Sequence, residues 1–206
     1  MAAVRQHGVR PPGSVHPAGN PDPGILAPVV SSPELWDTRY RKASNEPEAC
    51  TVLRQHSGYL PQRGRALDLA CGRGGNALWL ARRGLTVHAW DYSEAGIRYL
   101  RAEAEERRLA IRVEVRDVVL KPPEMERFDL LVVSHFLDRG LMPALLAAVR
   151  PGGLLYYQTF LVGHPGPGPR NPDFLLRPGE LSGYCENWGI LHSLEKDGQA
   201  QLVARR

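Results

Sequence analysis

From residue 64 onward, short apolar runs alternate with longer amphipathic ones. Residues 66–70, 86–90, 111–115, 128–133 and 154–160 have strand length and are rich in branched and aromatic side chains. Between them, residues 77–83, 93–108 and 141–149 follow a helical period. Gly84 stands where a helix C-terminus favours glycine, Ser93 is a side-chain cap, and Pro143 falls in a first turn. The run at 128–133 is apolar on both faces, which predicts a central strand covered on both sides. Strands alternating with helices predict a parallel sheet joined by right-handed crossovers.

Both ends depart from this rhythm. Ser32-Pro33-Glu34 reads as an N-cap with proline at the first helical position, and Leu35, Trp36 and Tyr40 line one face. A second short helix is expected over residues 46–56. After a Gly/Pro-rich loop at 164–172, residues 178–187 look helical. Two apolar runs, 189–194 and 201–204, then flank Asp197-Gly198, a strong hairpin signal. The expectation is an α/β fold: a doubly wound, seven-stranded sheet, mostly parallel with an antiparallel C-terminal hairpin, and helices on both faces.

The 206 residues suit one domain with a sizeable core. Residues 1–30 are rich in proline and glycine without a sustained apolar period and read as a disordered tail. The domain is expected over 31–206, with residues 31–60 forming a helical lid and 61–206 the core. The net charge is +4, and the basic spots are short and scattered, so nucleic acid is not an expected partner. Three cysteines without CxxC spacing disfavour both a disulfide framework and a zinc site and suit a reducing cytoplasm. No apolar run approaches the roughly 20 residues of a membrane span. A monomer or homodimer acting on a small molecule is expected.

The candidate chemistry lies between residues 66 and 91. A strand delivers Asp68, a glycine loop (Cys71-Gly72-Arg73-Gly74-Gly75-Asn76) follows, and a second strand ends at Asp91. Glycines allow close backbone approach, and a carboxylate about 20 residues downstream can bind both hydroxyls of a ribose. Gly72-x-Gly74-x-x-Ala77 also satisfies a dinucleotide fingerprint, which leaves an NAD-dependent oxidoreductase as the alternative. Asp68 weighs against a pyrophosphate, because like charges repel, and favours a ligand carrying an amine.

These residues resemble the class I S-adenosylmethionine-dependent methyltransferases. The resemblance rests on Leu67-Asp68-Leu69-Ala70-Cys71-Gly72-Arg73-Gly74, Asp91-Tyr92-Ser93, Arg116-Asp117, Phe128-Asp129-Leu130-Leu131 and Pro151-Gly152-Gly153-Leu154. A closer likeness is to the tellurite-resistance (TehB-like) and thiopurine-methyltransferase-like branch. It is carried by Trp36-Asp37-Thr38-Arg39-Tyr40, by Asn76, and by residues 171–181. Ala70 departs from the family loop, which has glycine there.

The resemblance implies a Rossmann-like fold, S-adenosyl-L-methionine as cofactor, and in-line methyl transfer to a small acceptor such as a thiol or a chalcogen oxyanion. It implies that Asp68 and the backbone of Ala70, Cys71, Gly72 and Gly74 hold the methionine part. Asp91 takes the ribose hydroxyls, Tyr92 packs on the adenine, and Asp117 and Val118 meet the adenine amino group and ring. Ser134 and His135 border the methyl group, and Arg39 pairs with the cofactor carboxylate. Trp36, His135, Phe160, Arg170 and Arg177 are candidate acceptor contacts. No firm catalytic residue is assigned; His135 is the candidate if the acceptor needs deprotonation. A protein that binds the cofactor without turnover is the remaining alternative.

Overall fold

The computed structural model describes residues 32–206, so the expected tail over 1–30 lies outside the described residues. Seven strands form one sheet: β1 (Arg65–Leu69), β2 (Thr86–Asp91), β3 (Ile111–Val115), β4 (Phe128–Ser134), β5 (Val149–Phe160), β6 (Gly189–Lys196) and β7 (Gln199–Arg205). Their order is β3-β2-β1-β4-β5-β7-β6. The first five run parallel, while β7 pairs antiparallel with both β5 and β6. The β6–β7 turn is Asp197-Gly198, both left-handed at φ 51° and 75°. That is the backbone a two-residue hairpin requires.

Among the described residues six α-helices accompany the sheet: α1 (Pro33–Lys42), α2 (Thr51–Gln55), α3 (Gly75–Ala81), α4 (Glu94–Glu106), α5 (Met142–Ala148) and α6 (Glu180–Gly183). The apolar runs become the two core layers. One face of the sheet buries Leu67, Leu69, Leu131, Val133 and Tyr157 under α5 and α6. The other buries Ala66, Val87, Leu130, Val132 and Tyr156 under α2, α3 and α4. No helix among the described residues is long and apolar enough to cross a membrane.

Two helices are shorter than expected. The run at 46–56 becomes helical only at Thr51. Pro47 disfavours helical backbone at Glu46, and the Cys50 N–H is taken by the Asn76 side chain at 2.9 Å. The run at 178–187 holds a single helical turn, α6, entered from a left-handed Gly179. Between β3 and β4 no helix forms. Residues 116–127 run as turns, braced where the buried Arg116 donates to the carbonyls of Lys121 and Pro122.

Candidate functional site

The order of the strands reverses between β1 and β4, and there the following helices depart to opposite faces of the sheet. In open α/β sheets this is where ligands bind, beyond the carboxyl ends of the strands. Both strands end in a left-handed residue: Ala70 after β1 at φ 52° and His135 after β4 at φ 54°. Side chains pay for this conformation, and such strain gathers at functional sites.

The loop after β1 is held by two buried carboxylates. Asp91 accepts the Gly72 N–H through Oδ2 and the Ser93 N–H through Oδ1, each at 2.8 Å. Asp68 is completely buried; its oxygens accept from Asn76 Nδ2 at 3.0 Å and from the Ala77 N–H at 2.9 Å. Burial pushes the Asp68 carboxyl up to about 7, with Asp91 adding to the rise and the two hydrogen bonds opposing it. Asp91 is raised by burial too, against the pull of the Ser93 and Gly72 N–H groups. Gly72 is left-handed at φ 56°, and a Cβ there would lie 2.7 Å from the Tyr40 hydroxyl. The loop is therefore a cradle of backbone closed by one aromatic ring.

The structure brings Asp68, Ala70, Cys71, Gly72, Gly74, Asp91 and Tyr92 together around this loop, and places Ser134, His135 and Phe160 on the neighbouring strand ends. Cys71 is buried, and burial pushes its thiol well up, which favours the protonated form. Asp117 Oδ1 accepts from the N–H groups of Val119 and Leu120, forming a turn that leaves Val118 buried. Ser134 Oγ accepts from Asn76 at 3.0 Å.

Beyond the ends of β4 and β5, the Phe160 ring contacts two histidine rings, 5.1 Å from His135 and 4.8 Å from His164. His164 donates through Nε2 to the Pro169 carbonyl at 2.7 Å, whereas the His135 ring has no hydrogen-bond partner among the described residues. Desolvation lowers the His135 pKa, which keeps its imidazole neutral at pH 7. Arg170 donates to the carbonyls of His164 and Gly166 and so ties its own loop together. Arg177 is exposed beyond that loop. Arg39 stacks on Trp36, 4.9 Å from the ring centroid, on α1.

Three further residues belong to the site by geometry. Tyr40 covers Gly72. Asn76 joins Asp68, Ser134 and the Cys50 backbone, so it links β1, β4 and the approach to α2. Asp37 Oδ1 accepts from the Ser93 hydroxyl and from the Ala95 N–H, which clasps α1 onto the N-terminus of α4. All three stand inside stretches already singled out by family likeness, and only tertiary contact reveals what they do.

The profile of a methyltransferase domain matches residues 66–153, from the start of β1 to the glycines of β5. The same stretch carries the two carboxylates and both left-handed turns. Over this stretch the chain is similar to S-adenosylmethionine-dependent methyltransferases, TehB among them. TehB of Haemophilus influenzae, described as a "probable S-adenosyl-L-methionine-dependent methyltransferase", is 28% identical over 142 residues, covering 66% of this chain and 49% of TehB. The chain thus spans about half the length of that relative. The crystal structure of Haemophilus influenzae TehB superposes with a TM-score of 0.65 at 22% identity, covering 84% of this chain and 66% of the other. A second structure, reported for the conversion of a disulfide bond into a thioacetal group during echinomycin biosynthesis, gives a TM-score of 0.63 at 26% identity. That match covers 84% of this chain and 92% of the other.

Proposed function

We propose that this methyltransferase uses S-adenosyl-L-methionine to methylate a small acceptor, a thiol or a chalcogen oxyanion, by in-line displacement. One observation carries the reading. The backbone cradle at Ala70–Gly74 is bounded by the Asp68 and Asp91 carboxylates, and Asn76 ties it to Ser134 at the end of β4, next to the unbonded His135 imidazole. A buried carboxylate at Asp68 suits a ligand with an amine better than a pyrophosphate, which favours S-adenosyl-L-methionine over NAD.

The bound cofactor supplies an electrophilic methyl on a sulfonium. The residues of this chain bind and orient it. Asp91 keeps its remaining lone pairs for the ribose hydroxyls while bracing Gly72. Asp68 fixes the start of α3 and sets a negative potential under the amine. Tyr92 and Val118 pack on the adenine, and the Asp117 oxygen not committed to its turn accepts from the adenine amino group. Arg39 reaches for the cofactor carboxylate from α1. Residues 32–60 and the loop after β5 exclude water above the crevice, with Trp36, Phe160, Arg170 and Arg177 on the acceptor side. A soft nucleophile needs placement within about 3–3.5 Å of the methyl rather than a strong base. His135, neutral and unbonded, takes the proton where the acceptor brings one. The buried thiols at Cys50, Cys71 and Cys185 suit a reducing compartment such as the cytoplasm.

Calorimetric titration with S-adenosylhomocysteine, with NAD in parallel, tests the cofactor. Micromolar binding of the first alone is expected; binding of NAD alone would overturn the reading. Turnover assays with thiol, tellurite and phenol acceptors then test the acceptor class. Methylation of phenols only would replace the soft acceptor by an oxygen nucleophile that depends on His135.

A further inference from the structure

Two grooves meet along the outer edge of β3, far from the crevice. One, of about 300 Å³, lies on the sheet face that the turns at 116–127 leave without a crossover helix, and His88, Trp90 and Arg112 help to line it. The other, of about 330 Å³, lies between β3 and the end of α4. Val113 borders both. β3 is the terminal strand of the sheet, so its outer N–H and C=O groups have no neighbouring strand.

The charge around this edge is net positive. Arg101 and Arg108 flank the second groove, and Arg112, Arg116, Lys121 and Arg127 the first. Glu114 is shared by Arg116 and Lys121, and Glu124 pairs with Arg127. Glu105 is the one acid of the second groove. The guanidinium groups of Arg101, Arg108 and Arg112 have no ion pair or hydrogen bond among the described residues. They sit on both sides of the same free strand. Beside them Val115, Val119, Leu120 and Met125 are exposed, Leu120 at 83% and Met125 at 73%.

Basic side chains on an edge strand repel a second copy of the same edge. The same charges attract a segment of opposite sign. Single-stranded nucleic acid would need faces for its bases to stack on. The rings lining these grooves are Trp90, with Arg116 lying 3.8 Å over it, and His88, which packs against Trp90 and Phe128.

We propose that the free edge of β3 takes an extended acidic segment of a partner protein as an added strand. Its backbone pairs with the outer edge of β3. Its side chains alternate between the grooves, carboxylates meeting Arg112 on one face and Arg101 and Arg108 on the other. Its apolar residues rest on Val115 and the turns that follow.

The test is fluorescence anisotropy of the full chain with a labelled peptide of mixed glutamate and valine. Saturable, salt-sensitive binding is expected. It should weaken more than about tenfold in Arg101→Gln/Arg108→Gln/Arg112→Gln, and equally for a peptide of the same charge N-methylated at alternate backbone positions. All three arginines are exposed, so the melting temperature should stay put. Arg112→Gln alone should weaken binding in the same direction and serves if the triple variant fails to fold. Absence of binding, equal binding of the N-methylated peptide, or tighter binding of a single-stranded oligonucleotide of equal charge would each overturn the proposal.

Discussion

The Asp91 carboxylate and the Gly72 backbone N–H, separated by 19 positions in the chain, meet at 2.8 Å beneath the loop. One side chain thus joins the end of β2 to the turn after β1. Asp91→Ala removes this brace together with the proposed ribose contact. Affinity for S-adenosylhomocysteine should fall more than about tenfold, since a charged hydrogen bond is worth roughly 1.5–3 kcal/mol. Calorimetry on the folded variant checks this, and unchanged affinity would remove the ribose assignment.

Ala70 sits at φ 52° where the family loop has glycine. The left-handed conformation costs a side chain about 1–2 kcal/mol, and glycine returns part of that as unfolded-chain entropy. Ala70→Gly should leave stability unchanged or raise it by up to about 1 kcal/mol. Ala70→Val, β-branched at the same backbone, should lose about 2 kcal/mol. Urea denaturation of the pair measures the strain.

The roof after β5 is anchored by one ion pair. Arg139 meets both Glu180 oxygens, at 2.7 and 2.9 Å, and donates to the carbonyls of Asp173 and Leu175. The guanidinium holds the Glu180 carboxyl down at about 2. Arg139→Ala strands these acceptors and should cost about 1–2 kcal/mol, discounted for partial exposure. Proteolysis should begin within residues 161–179, with the sheet left intact. Uniform resistance of that segment would show that the loop is held by other contacts.

Burial lowers the pKa of His56, His88 and His135 from 6.5, with His192 contributing at His56 and Arg127 and Arg112 at His88. The unfolded chain therefore binds more protons than the folded one just below that value. The stability from these groups is fully present above about pH 6.5 and is lost as pH falls through their folded values. Asp68 and Asp91, raised by burial, act in the opposite direction over this range, so the histidine part is read as a difference: the urea midpoint of the parent should fall relative to that of His88→Leu between about pH 7.5 and 5.5. An offset between the two proteins that does not change with pH would contradict the burial of the His88 ring.

The sheet is legible along the chain because each strand is a short apolar run and each crossover has its own cap. Asp68, the glycine loop and Asp91 are legible because their spacing reflects a local strand–loop–helix–strand path. The site's other half is not. Asp37, Tyr40 and Asn76 act on residues far away in the chain, and their own neighbourhoods carry no trace of it. The two shortened helices fail for a related reason. Periodicity cannot register that Pro47 bends the chain away or that Asn76 takes the Cys50 N–H.

The clasp on α1 has one more consequence. That helix has no fully buried residue among the described ones, and it is held onto α4 by the Asp37 carboxylate and by the Tyr40 ring against Gly72 and Gly96. Its attachment is consequently modular: the sheet and its core would survive its exchange for another cover. If α1 covers the acceptor as proposed, its exchange would alter what is accepted and leave the strand ends beneath unchanged.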